Sequence, residues 1–282
     1  MRASPWQTLK PVGIIVQFPR DGSFMAHLFH NKNYDERSVF LPENLLREAR
    51  RQKNIKECNI PKICILDPDG DIVRYLKNHS AKISSCWACY HSELYNANYR
   101  DLEFGIIGCA VGASYAVLLA EQLFVSGCEL LISVTSAGKL NPELKSDYIL
   151  INETIRDEGT SYHYLPEEDT AHIDHGLLDQ LRPLLSNPVL SVQLGKSWTT
   201  DAPYRETRSS INKAKHLGAD SVEMEASALY AFAKVKCRRV ICFAHLTNSM
   251  AQQSVDFEKG AENGSLASLE LIYQTTKLLS PL

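Results

Sequence analysis

Two carboxylates flank a methionine at Glu223-Met224-Glu225, and the stretch after them, Ala226 to Val235, is almost entirely apolar or small. A carboxylate in such company is costly to bury unless it bonds something. Its two oxygens suit a pair of adjacent sugar hydroxyls, and a thioether lies well against the apolar face of a sugar. The same acids also complement a helix N-terminus, worth about 0.3–1 kcal/mol each, with Met224 as core filler. The residues alone leave both readings open. A second candidate is Gly105 to Ser114, where an apolar strand runs into a turn carrying Gly108 and Gly112 and then into a helix. Small residues there let backbone approach a ligand, and a helix N-terminus offers unpaired N–H groups. A tight turn without a ligand explains the same glycines. A third is Thr135-Ser136-Ala137-Gly138, which puts hydroxyls and a permissive glycine at the carboxyl end of the strand Leu130 to Val134. Ligand crevices in open α/β sheets lie at that end of the strands.

The elements that must hold these residues follow from apolar runs. Lys62 to Leu66, Phe104 to Cys109, Glu129 to Val134, Tyr148 to Ile155, Leu190 to Leu194 and Arg239 to His245 read as strands buried on both faces. Helical patterns cover Ile72 to Lys77, Ser114 to Ser126, Tyr204 to Leu217, Ser221 to Val235 and Leu266 to Leu279. Alternation of this kind predicts an α/β fold, a three-layer α/β/α sandwich around a central mixed sheet. Residues 1–60 are polar and aromatic and read as an N-terminal extension, with a helix over Pro42 to Lys53 opened by its proline. Residues 61–282 form the main domain. No internal repeat or low-complexity tract interrupts it.

Thirty basic and 33 acidic residues give a formal charge of -3 without a polybasic run, which argues against nucleic acid or an anionic membrane as partner. The apolar run near the N-terminus is too short for a secretory signal, and no segment is long enough to span a bilayer. Eight cysteines scattered through apolar runs suit reduced thiols in the cytoplasm. Cys86 and Cys89 have redox-pair spacing, but no second pair follows at ligand spacing, so no metal is expected.

Glu223-Met224-Glu225 with Ala-Ser-Ala-Leu-Tyr after it, and Thr135 to Gly138 upstream, resembles the ribose and phosphate motifs of the nucleoside phosphorylase/uridine phosphorylase superfamily. The resemblance runs from about Pro61 to the C-terminus. It implies that Glu225 binds the ribose 2′- and 3′-hydroxyls, that Met224 packs on the sugar beside Glu223, and that Ser136 lies between sugar and phosphate. Gly138 and the helix start at Gly112 would position the nucleophile. Arg156 to His163 is similar to the Arg/Gly/Ser/His stretch of the uridine phosphorylase branch, and Trp198 to Glu206, with Thr200 and Arg205, to its base-side loop.

Three departures qualify what the resemblance implies. Asn248 stands where the purine branch has an acid that protonates the base, and an amide cannot deliver that proton. This points to a pyrimidine, uridine-like nucleoside, with Arg205 and Asn248 taking charge on the base carbonyls. Cys64 to Asp71 is similar to the family's Gly-Asp-Pro loop, but Leu66 replaces its glycine and the following arginine is displaced to Arg74. Ser133 replaces a second arginine of the phosphate site. The third departure is the extension, in which His27 and His30 are candidates to reach a site. The expected activity is phosphorolysis of the N-glycosidic bond, with inorganic phosphate as co-substrate, no metal or organic cofactor, and a homo-oligomer, dimer or hexamer. Hydrolysis by a nucleosidase and a nucleoside-binding protein without catalysis stand as alternatives.

Overall fold

Pro42 opens the first helix, α1 (Pro42–Lys53), and Asn54, in the left-handed region at φ 55°, ends it, as the sequence predicts. In the computed structural model, residues 32–166, 168–249 and 259–279 are described, leaving His27 and His30 outside them. The chain divides between Asn33 and Tyr34, and Tyr34–Leu282 is one compact unit. The expected boundary after residue 60 falls inside that unit. Leu46 and Ala49 of α1 are buried against Ala88 and Val125, which makes the helix part of the core and not of an appendage.

Strands β1 (Ile63–Asp67), β2 (Lys82–Ile83), β3 (Tyr95–Tyr99), β4 (Leu102–Gly108), β5 (Leu130–Lys139), β6 (Tyr148–Asp157), β7 (Thr170–His172), β8 (Val192–Thr200), β9 (Ser221–Glu223) and β10 (Arg239–Ser249) form one mixed sheet. β1 lies between β4 and β5, parallel to both. On the far side the pairing runs in a circuit: β5 pairs with β10, β10 with β6, β6 with β8, β8 with β9, and β9 returns to β5. The helices α2 (Asp71–Lys77), α3 (Ala113–Val125), α4 (His175–Leu181), α5 (Arg208–His216), α6 (Ala226–Lys236) and α7 (Ser265–Leu278) complete the expected α/β sandwich. α3 packs against α6 and α1, while α2 packs against α7. The apolar stretches of β1, β4, β5 and β10 are buried, with Ile65, Ile106, Ile132 and Phe243 fully enclosed. Burial on both faces explains why their sequences do not alternate.

Three segments differ from expectation. Ser221–Glu223 is a strand and not the start of a helix, because its backbone completes the circuit between Gly138-Lys139 and Ser197–Thr199. The helix expected from Tyr204 begins at Arg208, where the Thr207 side chain accepts from the Ser210 N–H. The cysteines are not all reduced: Cys58 and Cys86 are joined in a disulfide, and Cys89 is a separate buried thiol.

Candidate functional site

β9 runs antiparallel to the end of β5 with Val222 opposite Gly138, and this register carries Glu223 and Glu225 to the carboxyl end of the strands beside Ser136. The two glutamates then diverge. Glu223 accepts from the Ser197 and Thr199 hydroxyls at 3.1 and 2.5 Å and from the Glu225 and Ala226 N–H groups at 2.7 Å each. Every lone pair it can use is spent on starting α6 and tying it to β8. Glu225, at the N-cap of α6, is only 2% exposed. Its Oε1 accepts from the Gly112 N–H at 2.7 Å, and its Oε2 is buried without a partner. Burial, and then the charge of Glu223, push its carboxyl up to about 8, against the Gly112 N–H that holds it down. Gly112 has φ 92°, and a Cβ placed on it would touch nothing within 4 Å, so the backbone is open at that point. A buried acid with one free oxygen at an open helix start is suited to receive hydroxyl donors.

Ser136 lies at the end of β5, opposite His245 in the register with β10. Three donors converge there on one oxygen of Asp69. The Ser136 N–H and hydroxyl reach Asp69 Oδ2 at 2.9 and 2.5 Å, and the Lys259 ammonium stands 3.3 Å from it. Lys259 also bonds Asp71 at 2.5 Å, and Arg74 bonds the other oxygen of Asp71 and the Asp69 carbonyl. Burial pulls the Asp71 carboxyl upward, but Lys259 and Arg74 outweigh it and hold the acid below its ordinary value. Asp67, at the end of β1, accepts from the Gly70 and Val73 N–H groups and is pushed up to about 7 by burial. The cavity left among Asp69, Ser136, His245 and Lys259 measures about 10 Å³. Ser133, in place of the expected arginine, is buried with its hydroxyl unpaired.

The remaining candidates scatter. Thr200 is buried at the end of β8 and Met224 half-buried beside Glu225. Gly138 pairs with Val222 on one side and with the backbone of Asn248 on the other; the Asn248 side chain lies outside the described residues. Arg156 is consumed by structure, its guanidinium donating to Ser161 Oγ and to the carbonyls of Leu165, Pro166 and Glu168. His163 is exposed in the loop that Arg156 holds, and Arg205 is exposed on a single helical turn after Thr200. Arg74 is more than half exposed and occupied by Asp71. Among the described residues no group of His, Cys, Asp and Glu is placed to hold a metal.

Four residues at the site were given no role of their own in the sequence: Thr135, Asp69, His245 and Lys259. The first three stand where apolar strands end, the place at which a polar side chain is free to face a crevice. Lys259 carries no such signal.

The phosphorylase superfamily model matches residues 62–276. An uncharacterized protein, R802, of Acanthamoeba polyphaga mimivirus is 32% identical over 144 residues, half of this chain and 56% of that protein, so the chain spans little more than half of that relative. A uridine phosphorylase of Thermococcus kodakarensis is 24% identical over 61% of this chain and 72% of its own. Among solved structures, the 5'-methylthioadenosine/S-adenosyl homocysteine nucleosidase of Campylobacter jejuni aligns with a TM-score of 0.62 at 18% identity, covering 77% of this chain and 99% of that one. The match over most of its length, on a sheet whose strand ends gather Glu225, Gly112 and Ser136, places this chain in the phosphorylase superfamily.

Proposed function

We propose that this protein cleaves the N-glycosidic bond of a nucleoside, with Glu225 accepting the ribose 2′- and 3′-hydroxyls. The observation that carries the reading is the unpartnered, buried Oε2 of Glu225 beside the open backbone of Gly112. Cleavage of such a bond passes through a ribosyl cation-like transition state and needs positioning and electrostatics more than covalent chemistry. In this reading Met224 packs on the sugar, and Ser136 and Gly138 border the face from which the nucleophile arrives. Thr200 and Asn248 are assigned to the base by their places in the sequence. A pyrimidine is favoured because the amide of Asn248 cannot serve as the general acid that a departing purine would use. Arg205 contributes only if its exposed turn folds inward on the base.

Phosphorolysis is supported by the phosphorylase relative, and hydrolysis by the carboxylate held on Ser136 and by the serine at position 133. Both share the sugar site. The test is release of free base from a panel of purine and pyrimidine nucleosides by the full-length protein. Release from at least one nucleoside, abolished in E225A, is expected; tight nucleoside binding without release from any of them would make the protein a binding module. We extend the reading to a homo-oligomer, supported by Val39, Phe40 and Leu41, consecutive exposed apolar side chains just before α1. Light scattering at the mass of one chain would remove that part.

A further inference from the structure

An oxyanion entering beside the sugar needs donors that converge on a point, and among the described residues such a point lies at Ser136. The Ser136 N–H, the Ser136 hydroxyl and the Lys259 ammonium all meet there. They form an anion cradle of one backbone donor, one hydroxyl and one cation, of the kind that holds a phosphate oxygen. The cradle is already filled by Asp69 Oδ2. Its second cation, Arg74, is bound to Asp71 and points along α2 toward Gly70, where a Cβ would lie 3.0 Å from Arg74 Nη1. The charges therefore balance internally: Asp69 and Asp71 on one side, Lys259 and Arg74 on the other, with Asp67 adjacent. A phosphate dianion brought to this point would meet two carboxylates already holding its partners. The space left is about 10 Å³, enough for one water molecule and far too little for a phosphate.

We propose that Asp69 is a built-in anion that takes the place of phosphate, so that the nucleophile is water. The proposal rests on the reading of the sugar site given above. The step then balances as follows. The C1′–N bond breaks with its electron pair passing to the base nitrogen, which takes a proton from solvent. A C1′–O bond forms from water, whose proton passes to the Asp69 carboxylate and on to solvent. The sugar product is free ribose. Asp69 does two things at once: it denies the cradle to an outside anion and it presents an acceptor to the water beside Ser136. His245 and Lys259 line the same space and complete its polar wall.

Two measurements on the full-length protein test this. The first follows the sugar product from a cleaved nucleoside with and without 10 mM inorganic phosphate, a concentration on the order of ten times the weakest ordinary KM. Free ribose at an unchanged rate is expected, and ribose 1-phosphate from the wild-type protein would overturn the proposal. The second is a thermal-shift titration with phosphate, which needs no turnover. The wild type is expected to show no shift, and D69A, once shown to be folded by circular dichroism, a rise in Tm that increases with phosphate. A phosphate-dependent rise in the wild type, or a folded D69A indifferent to phosphate, would overturn it. If no nucleoside is cleaved, the reading of the reaction fails while the titration still decides the occupancy of the cradle.

Discussion

Glu223 and Glu225 are one residue apart and share a helix start, yet only one is left with a free oxygen, and the difference lies in what their neighbours donate. Ser197 and Thr199, on the neighbouring β8, satisfy Glu223, whereas Glu225 is bonded by a single backbone N–H and keeps one buried oxygen without a partner. Two hydroxyl donors to an ionised carboxylate are worth roughly 1.5–3 kcal/mol each. E225A should therefore lower kcat/KM for a cleaved nucleoside by roughly a hundred- to ten-thousand-fold, read from initial rates, with the melting temperature held or raised. The pH dependence follows from the same burial. With its carboxyl near 8 in the free protein and an ordinary value of 4.5, Glu225 adds stability that is full below 4.5 and is lost as pH rises through about 8. Asp67, pushed to about 7, has the same sign. Thermal melts between pH 5 and 8.5 should show the wild type losing stability with rising pH more steeply than E225Q. Because the ionised form is the better acceptor of a diol, kcat/KM should rise as pH approaches about 8, and a profile flat from 6 to 9 would contradict the assignment.

At the scale of elements, Glu223 is the peg on which α6 turns out of β9. Replacing it by alanine leaves the Glu225 and Ala226 N–H groups buried without their acceptor and takes one acceptor from the Ser197 and Thr199 hydroxyls, a loss of about 3–5 kcal/mol that should appear in denaturant melts. That role was only half visible in the sequence. The acids beside Met224 could be seen as buried and needing partners, but whether the partner is a hydroxyl on a neighbouring strand or a ligand depends on a register the sequence does not contain. The strands enclosed on both faces were legible because their apolar runs admit no other placement. β3, reading Tyr-Asn-Ala-Asn-Tyr, and the three residues of β7 were not, since their polar residues fit a loop equally well until β4 and β6 offer them pairing. Arg156 shows the same limit from the other side. A charged residue in a suggestive motif reads as a ligand contact, and here three carbonyls and a serine use it up.

For the whole molecule, the cysteines give a direct check. Eight are present, six are free, and Cys58 and Cys86 close a loop of sequence separation 28. Protein denatured without reductant should titrate six thiols and, after reduction, eight, and reduction should cost about 3 kcal/mol of stability through the freed loop. Eight thiols without reductant would restore the expectation of fully reduced cysteines. The circuit from β5 through β10, β6, β8 and β9 back to β5 has a further consequence. A sheet closed upon itself on one side exposes very little unpaired backbone. Among the described strands, the end strands are β2, two residues that include a lysine, and β7, three residues long, and the stretches left without a ladder partner on one side of β3 (97–99) and β8 (192–196) are short as well. Neither end strand is long enough to template another chain by strand addition, the usual hazard of an open sheet. Copies of this protein that associate are therefore expected to meet through side chains more than through strand addition, while the strand ends remain free to bind.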